Sequence, residues 1–375
     1  MTTREQLPDH LLFGAGHQLT APQFETGENL QPIANACSVA VPSRVDTFLC
    51  RPDVFVAPPR PYVYPVCSVN FAIDLFARAT VRLSLGNDVT VEGERPGIIR
   101  HAALLMKRVL GYRGGLTITA NNDDGLRHAG LGSSAALQAA VASAIHTLFG
   151  EPFEKALLAR FLSQNYGEEA DEAGELVAHV PSIGGAATMA LSKANLVVIG
   201  GECVPWYQGS LPETYKLVLA LPAIAVMPDG HEDRKMLSNG HPLLSQMGQQ
   251  WGAVREAILR RRIVPSLAAG VPGPMFDAIN RYTAGQWGDI PGYFENRWRG
   301  SGWQARSFLR DLDHQLFKRL SRTDACMFVS SGGPAIGVIT SAPHEVAALL
   351  RNFDCSRVEV REMHARGAMV NLETS

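Results

Sequence analysis

The stretch Gly130-Leu131-Gly132-Ser133-Ser134-Ala135-Ala136 sets small, flexible and hydroxyl-bearing residues at the head of an alanine-rich segment, 135–148. Where a glycine-serine turn opens a helix, several backbone N–H groups lack an intrahelical acceptor and converge on one point. The helix dipole adds partial positive charge there, so the spacing makes a cradle for a phosphate or diphosphate. Glycines admit the anion close to the backbone. The Ser133 and Ser134 hydroxyls can reach a phosphate oxygen or a Mg²⁺ riding on it. Taken alone, the same turn serves equally well as the N-cap of a core helix.

Two other groups share this character. Val41-Pro42-Ser43-Arg44-Val45-Asp46 closes a strand-like segment with a cation and a carboxylate, and Ser330-Ser331-Gly332-Gly333-Pro334 is a turn between two apolar strands. Weaker candidates lie elsewhere. His231-Glu232-Asp233-Arg234 follows Pro228-Asp229-Gly230 and reads as a loop near a cleft or as a solvated helix start. The run Arg297-Trp298-Arg299 with Trp303 fits a phosphate clamp, or more commonly tryptophan packing under snorkelling arginines. The acidic residues Glu168, Glu169, Asp171, Glu172 and Glu175 can hold Mg²⁺ or simply face water. His128 and His179 sit beside motifs, where a lone histidine is more often structural.

The elements that must position these groups are mixed. Residues 38–41, 66–73 and 79–85 read as strands around a stiff insertion, 51–65, that carries five prolines. A helix is expected over 97–111, a strand over 115–120, and helices over 135–148 and 151–175, the last with its acidic face exposed. Strands follow at 194–199 and 215–221, then helical blocks at 242–269 and 276–287. A strand at 325–329, the glycine turn, a strand at 335–340, a helix at 344–353 and a strand at 357–362 close the chain. The pattern predicts an α+β architecture of an N-terminal arm, 1–35, and two lobes, 36–210 and 211–375, with a cleft between them.

Composition narrows the function classes. The 375 residues carry 34 basic and 36 acidic side chains, a net charge of −2 that gives no electrostatic footprint for nucleic acid. No apolar run approaches the roughly 20 residues of a membrane helix, and residues 1–6 lack the apolar core of a signal peptide. Six scattered cysteines (37, 50, 67, 203, 326 and 355) have no metal-ligand spacing, and are expected to be reduced core thiols in a cytoplasmic protein.

The order P-S-R at Pro42–Arg44, GLGSSAA at Gly130–Ala136 and a glycine-rich turn at Ser330–Pro334 resembles the GHMP kinase superfamily over roughly residues 36–353. The resemblance implies an N-terminal lobe like ribosomal protein S5, a ferredoxin-like C-terminal lobe and a ligand between them. The usual reaction is ATP-dependent phosphorylation of a small molecule. Three departures stand out. No Gly-Glu-His follows the P-S-R. No carboxylate lies in Ser182-Ile183-Gly184-Gly185-Ala186-Ala187, where the kinases carry their catalytic Asp. The last turn reads S-S-G-G-P. These departures are similar to the β-ribofuranosylaminobenzene 5′-phosphate synthases and the C-nucleoside synthases, which use phosphoribosyl diphosphate.

On that resemblance the expected reaction is C-glycosyl transfer. Ribose 5-phosphate is joined to a ring carbon of an aromatic or azole acid, diphosphate leaves, and Mg²⁺ assists. An ATP-dependent small-molecule kinase is the alternative, and a ligand sensor that has lost turnover is a third. Gly130, Gly132, Ser133, Ser134 and Ala135 would hold the diphosphate. Arg44 and Asp46 would be catalytic, the arginine neutralising phosphate and the carboxylate reaching Mg²⁺ or a ribose hydroxyl, unless the two simply pair. Ser43, Ser182, Gly184, His231, Glu232, Ser331, Gly332 and Gly333 would line the substrate. No membrane or nucleic-acid partner is expected, and a homodimer is.

Overall fold

A computed structural model describes residues 12–21, 30–51, 67–123, 129–169, 176–178, 192–200, 204–224, 241–288, 298, 301 and 303–373. Its largest sheet is built on two long antiparallel strands, β2 (Ala36–Thr47) and β3 (Ser68–Ser84). The two strands expected at 66–73 and 79–85 are thus one, because no Gly or Pro interrupts the chain at 74–78. β14 (Met369–Glu373) pairs with β2, so the chain's last strand returns to the first large sheet. β5 (Gly115–Asn122) pairs with β3 and, in parallel, with β4 (Val89–Gly93), while β8 (Leu196–Ile199) pairs with the start of β3 and with β9 (Pro205–Gly209).

Two helices cover this sheet. α1 (Pro96–Val109) has an amphipathic pattern and Pro at its first turn. α2 (Ser133–Leu148) is apolar or small nearly all round, and 15 of its 16 residues are buried, as expected for a helix sandwiched within a core. The segment expected to be helical over 151–175 differs. α3 (Lys155–Gln164) stops before Asn165, and β6 (Gly167–Glu169) and β7 (Leu176–Ala178) follow as a small antiparallel pair. β1 (Leu12–Phe13) adds to β7, so part of the N-terminal arm is a strand.

The second sheet is four-stranded and antiparallel, in the order β11 (Ala325–Val329), β12 (Ile336–Thr340), β10 (Lys216–Pro222), β13 (Cys355–Arg361). Its helices are α4 (His241–Ile258), continued through a π-helical turn, Leu259–Ile263, into α5 (Val264–Ala268), then α6 (Gly273–Gly288), α7 (Ala305–Phe317) and α8 (Pro343–Leu350). α7 had no expected counterpart. The main apolar core is shared: Val45 and Phe71 of the first sheet and Leu131 before α2 pack with Phe328, Val329 and Ile336 of the second. The mixed α+β architecture expected from the sequence is the one observed. Among the described residues no helix is long and apolar enough to cross a membrane, and Cys37, Cys50, Cys67, Cys326 and Cys355 are free thiols.

The arm is tied down by one imidazole. His101 on α1 is fully buried, accepts the Gly16 N–H at Nδ1 (2.9 Å) and donates from Nε2 to the Asn165 carbonyl (2.6 Å). The Asn165 amide oxygen in turn accepts the N–H groups of Leu19 and Thr20. Burial pushes the His101 pKa down to about 4. The unfolded chain therefore binds a proton between pH 6.5 and 4 that the folded chain refuses, so stability is full above the unfolded value and lost as pH falls. Urea unfolding across this window should show a loss of up to about 3 kcal/mol on acidification, and His101→Gln should remove that part of the slope.

Candidate functional site

The site begins where α2 begins. Gly132 is its N-cap residue, left-handed at φ 66°, and no side chain caps the helix. The first helical bond runs from the Ala136 N–H to the Gly132 carbonyl (2.9 Å). The N–H groups of Ser133, Ser134 and Ala135 therefore have no acceptor among the described residues. This is the arrangement of unpaired N–H groups that the sequence predicts. Its glycines are required by space as well as by φ. A Cβ on Gly130, itself at φ 81°, would lie 2.5 Å from the Ser330 carbonyl oxygen, and one on Gly132 would lie 3.1 Å from Arg44 Cγ.

A bulge aims the next group. The β2–β3 register shifts between Pro42 and Arg44, where proline cannot donate to the ladder. The Arg44 N–H is released from the ladder and bonds the Leu131 carbonyl at 3.1 Å, which locks the strand to the turn. The Arg44 side chain then lies along Gly132 and pairs with Asp46, Nη1 to Oδ1 at 2.6 Å, both side chains almost wholly buried. Burial raises the Asp46 pKa above the ordinary carboxylate range, with the Arg44 charge and hydrogen bond opposing it. The pairing anticipated as one alternative for Asp46 is present. Ser43 beside them is buried in the strand.

The turn at Ser330 closes the junction from the second sheet. Ser330 Oγ donates to the Gly130 carbonyl (2.5 Å) and accepts the Asp46 N–H (3.1 Å). The Ser331 N–H donates to the Asp46 carbonyl and the Ala335 N–H to the Ala129 carbonyl, each at 3.1 Å. Ser331 and Gly333 are both left-handed, at φ 54° and 79°, and the Gly333–Pro334 bond is cis. Trp298 Nε1 donates to the Gly332 carbonyl (3.1 Å), and Trp298 and Trp303 are buried edge-to-face. These indoles pack the turn, as the commoner reading of that motif expects.

One part of the site left no mark in the sequence. Arg95, left-handed at φ 62° just before α1, is buried and donates from Nη1 to Ser134 Oγ (2.6 Å). It also pairs with Glu168 and, at 3.4 Å, with Glu169. Tyr166 donates to Glu168 at 2.6 Å, and its own pKa is pushed well up by burial and then by the Glu168 charge. Glu168 is therefore a buried partner of Arg95 on β6, not part of an exposed acidic helix face. The correction follows from the early end of α3. A single arginine 39 residues from Ser134 carries no motif, so only the fold reveals the pairing.

Ser182, Gly184, His231 and Glu232, with His128 and His179, lie outside the described residues. Among the described residues no group of three His, Cys, Asp or Glu side chains could hold a metal ion.

The comparisons with known proteins agree with this geometry. The family model described as "GHMP kinases N terminal domain" matches residues 97–183, a span that contains the cradle and α2. No curated protein matches the chain by sequence. Among solved structures, homoserine kinase from Cytophaga hutchinsonii superposes with a TM-score of 0.57 at 16% identity, covering 92% of this chain and 100% of its own. Mevalonate diphosphate decarboxylase from Enterococcus faecalis, described for its ATP binding mechanism, gives 0.57 at 12%, covering 90% and 99%. A structure described as MDDEF in complex with MVAPP, AMPPCP and magnesium gives 0.56 at 11%, again covering 90% and 99%. The fold is thus of the GHMP type, as expected. The expected phosphoribosyl-diphosphate-dependent C-glycosyl transfer is overturned: these matches favour the kinase alternative, and nothing in them points to the ribosyl synthase branch. The S-S-G-G-P turn that suggested that branch spends its Ser330 hydroxyl and Ser331 N–H on the junction itself.

The junction makes a prediction of its own. Asp46→Asn, which removes the carboxylate charge held against the buried Arg44 guanidinium, should cost about 3–5 kcal/mol in urea unfolding. The double replacement Arg44→Met with Asp46→Leu should recover most of that loss. Calorimetric titration with tripolyphosphate should still find anion binding weakened in the stable double variant.

Proposed function

We propose that the chain is an ATP-dependent phosphotransferase acting on a small molecule. The observation that carries this reading is the start of α2, where the N–H groups of Ser133, Ser134 and Ala135 have no acceptor among the described residues and lie beside a buried guanidinium, Arg44. The likeness to kinase and ATP-binding structures supports the choice of nucleotide over other phosphates.

The chemistry asks for what these residues offer. Phosphoryl transfer passes through a loose transition state with charge spread over the γ-phosphate oxygens, so positioning and electrostatic stabilisation dominate. The α2 N–H groups would hold the phosphate chain with fixed dipoles that need no reorganisation. Arg44 would neutralise charge on the transferred group, and Asp46, nearly inaccessible and already paired, acts as a positioning residue for it. Its burial argues against the sequence-based role in which it reaches a ligand directly. Arg95 fixes the Ser134 hydroxyl at the first turn of the helix.

Magnesium bound on nucleotide phosphates keeps most of its water and needs only one or two protein oxygens. The Ser133 hydroxyl, which has no partner among the described residues, could supply one. When bound, the ion would offset phosphate charge.

Two measurements test the reading. AMPPCP should bind in a calorimeter, and Gly132→Val, which drives a branched side chain into Arg44 at positive φ, should abolish that binding. ADP release should then appear with some member of a panel of small hydroxy acids, amino alcohols and phosphorylated alcohols. Ser134→Ala should lower kcat by about 10- to 100-fold, the scale of losing one group that orders an electrostatic cradle. Absence of AMPPCP binding by the wild-type chain would sink the proposal.

A further inference from the structure

A cavity of about 180 Å³ opens between α4 and α6. That is smaller than the roughly 300 Å³ at which pockets for drug-sized ligands begin, so it suits one small molecule. Phe48, Trp251 and Tyr282 supply ring walls, and Arg255, Arg262 and Arg281 supply positive charge. None of these residues belongs to the site built around Gly132.

Arg255 determines what the cavity can take. The residue is nine-tenths buried, its guanidinium lies over the Tyr282 ring at 4.7 Å, and Nη1 donates to the Leu49 carbonyl at 3.3 Å. Among the described residues no carboxylate lies within ion-pair distance of it. A guanidinium has five donors, and this one uses a single long bond. Its remaining nitrogens open onto the cavity, so an anion bound there would meet unused donors of a cation. At the rim Arg262 and Arg281 share one carboxylate, Asp277, at 2.7 and 3.1 Å.

The backbone around the cavity is irregular on both sides. The wall passes from α- to π-helical geometry between Ile258 and Arg262, an irregularity found frequently at functional sites. Opposite, Phe48 stands left-handed at φ 57° with its ring tilted against Tyr282, centroids 5.2 Å apart. A bulky residue in that region is sustained only where its surroundings over-determine it, as at ligand clamps.

We propose that this cavity binds a small planar acid, with its carboxylate on Arg255 and its ring between Phe48 and Trp251. Phe48 follows Asp46 by two residues, so an occupant bears on the strand end that carries the Arg44–Asp46 pair. That connection makes the ligand an effector of the first site, and its binding does not depend on what the first site transfers.

Calorimetric titration of the full chain with benzoate tests the proposal. Benzoate should bind with a Kd below about 1 mM. Cyclohexanecarboxylate, equally charged but without a flat face, should bind several-fold more weakly. Arg255→Met should weaken benzoate about tenfold or more. Trp251→Ala, at the exposed rim, should weaken it with an unchanged thermal melt, which covers the case in which Arg255→Met does not fold. Saturating AMPPCP should leave the benzoate site available. The proposal is overturned by absence of benzoate binding at about 10 mM, by equal binding of the two acids, by unchanged affinity in the folded variants, or by displacement with AMPPCP. A chain that binds benzoate but not AMPPCP would refute the phosphotransferase reading alone.

Discussion

The structure turns on the meeting of three chain segments at the start of α2. The β2 bulge sends the Arg44 N–H to Leu131, the Ser330 hydroxyl bridges Gly130 to Asp46, and Ala335 reaches Ala129. Each of these bonds satisfies a backbone group that the turn would otherwise bury unpaired. The N–H groups left over are those of the first helical turn, and these face the position a phosphate would take. The site is thus what remains once these backbone groups of the junction are paired. That explains why its parts come from positions 44, 130 and 330 and from both sheets.

Buried charge is the second constraint. Arg44–Asp46 and Arg95–Glu168 place two guanidinium–carboxylate pairs on either side of the same helix end. Such pairs contribute little net stability compared with apolar replacements of equal volume, yet breaking one by removing a partner is costly. Their value here is orientation. One holds a cation against Gly132, and the other holds the Ser134 hydroxyl through Arg95. Uncharged residues could fill the same volume but could not fix those directions.

Much of the fold was legible because it is local. The glycine-serine turn, Pro96 at the head of α1, the short continuous apolar runs of β10 and β12 and the apolar run of α2 each declare an element within a few residues. The cradle was legible for the same reason. What failed was longer-range. The 151–175 segment read as one helix with an acidic exposed face, and the burial of Glu168 depends on Arg95, which no spacing links to it. Asp46 could be read as a ligand group or as the partner of Arg44, and residue types alone do not choose between them. Its pairing with Arg44 depends on a bulge that the sequence marks only by Pro42.

The choice of phosphate donor shows how far a motif can carry an inference. A Ser-Ser-Gly-Gly-Pro turn can present hydroxyls and N–H groups to a ligand or to its own chain, and the residue types are identical in the two cases. The difference lies in where the partners are. Here the Gly130 carbonyl sits 2.5 Å from Ser330 Oγ, and the Asp46 carbonyl accepts from Ser331. With those groups engaged, the turn works as a buttress that sets the height of Gly130 against the second sheet. The lost carboxylate at 182–187 then bears on how an acceptor is activated rather than on which donor is bound. On the proposed reading, a loose phosphoryl-transfer transition state would tolerate that loss, because its main requirement is held charge and alignment, which the α2 N–H groups and Arg44 would supply.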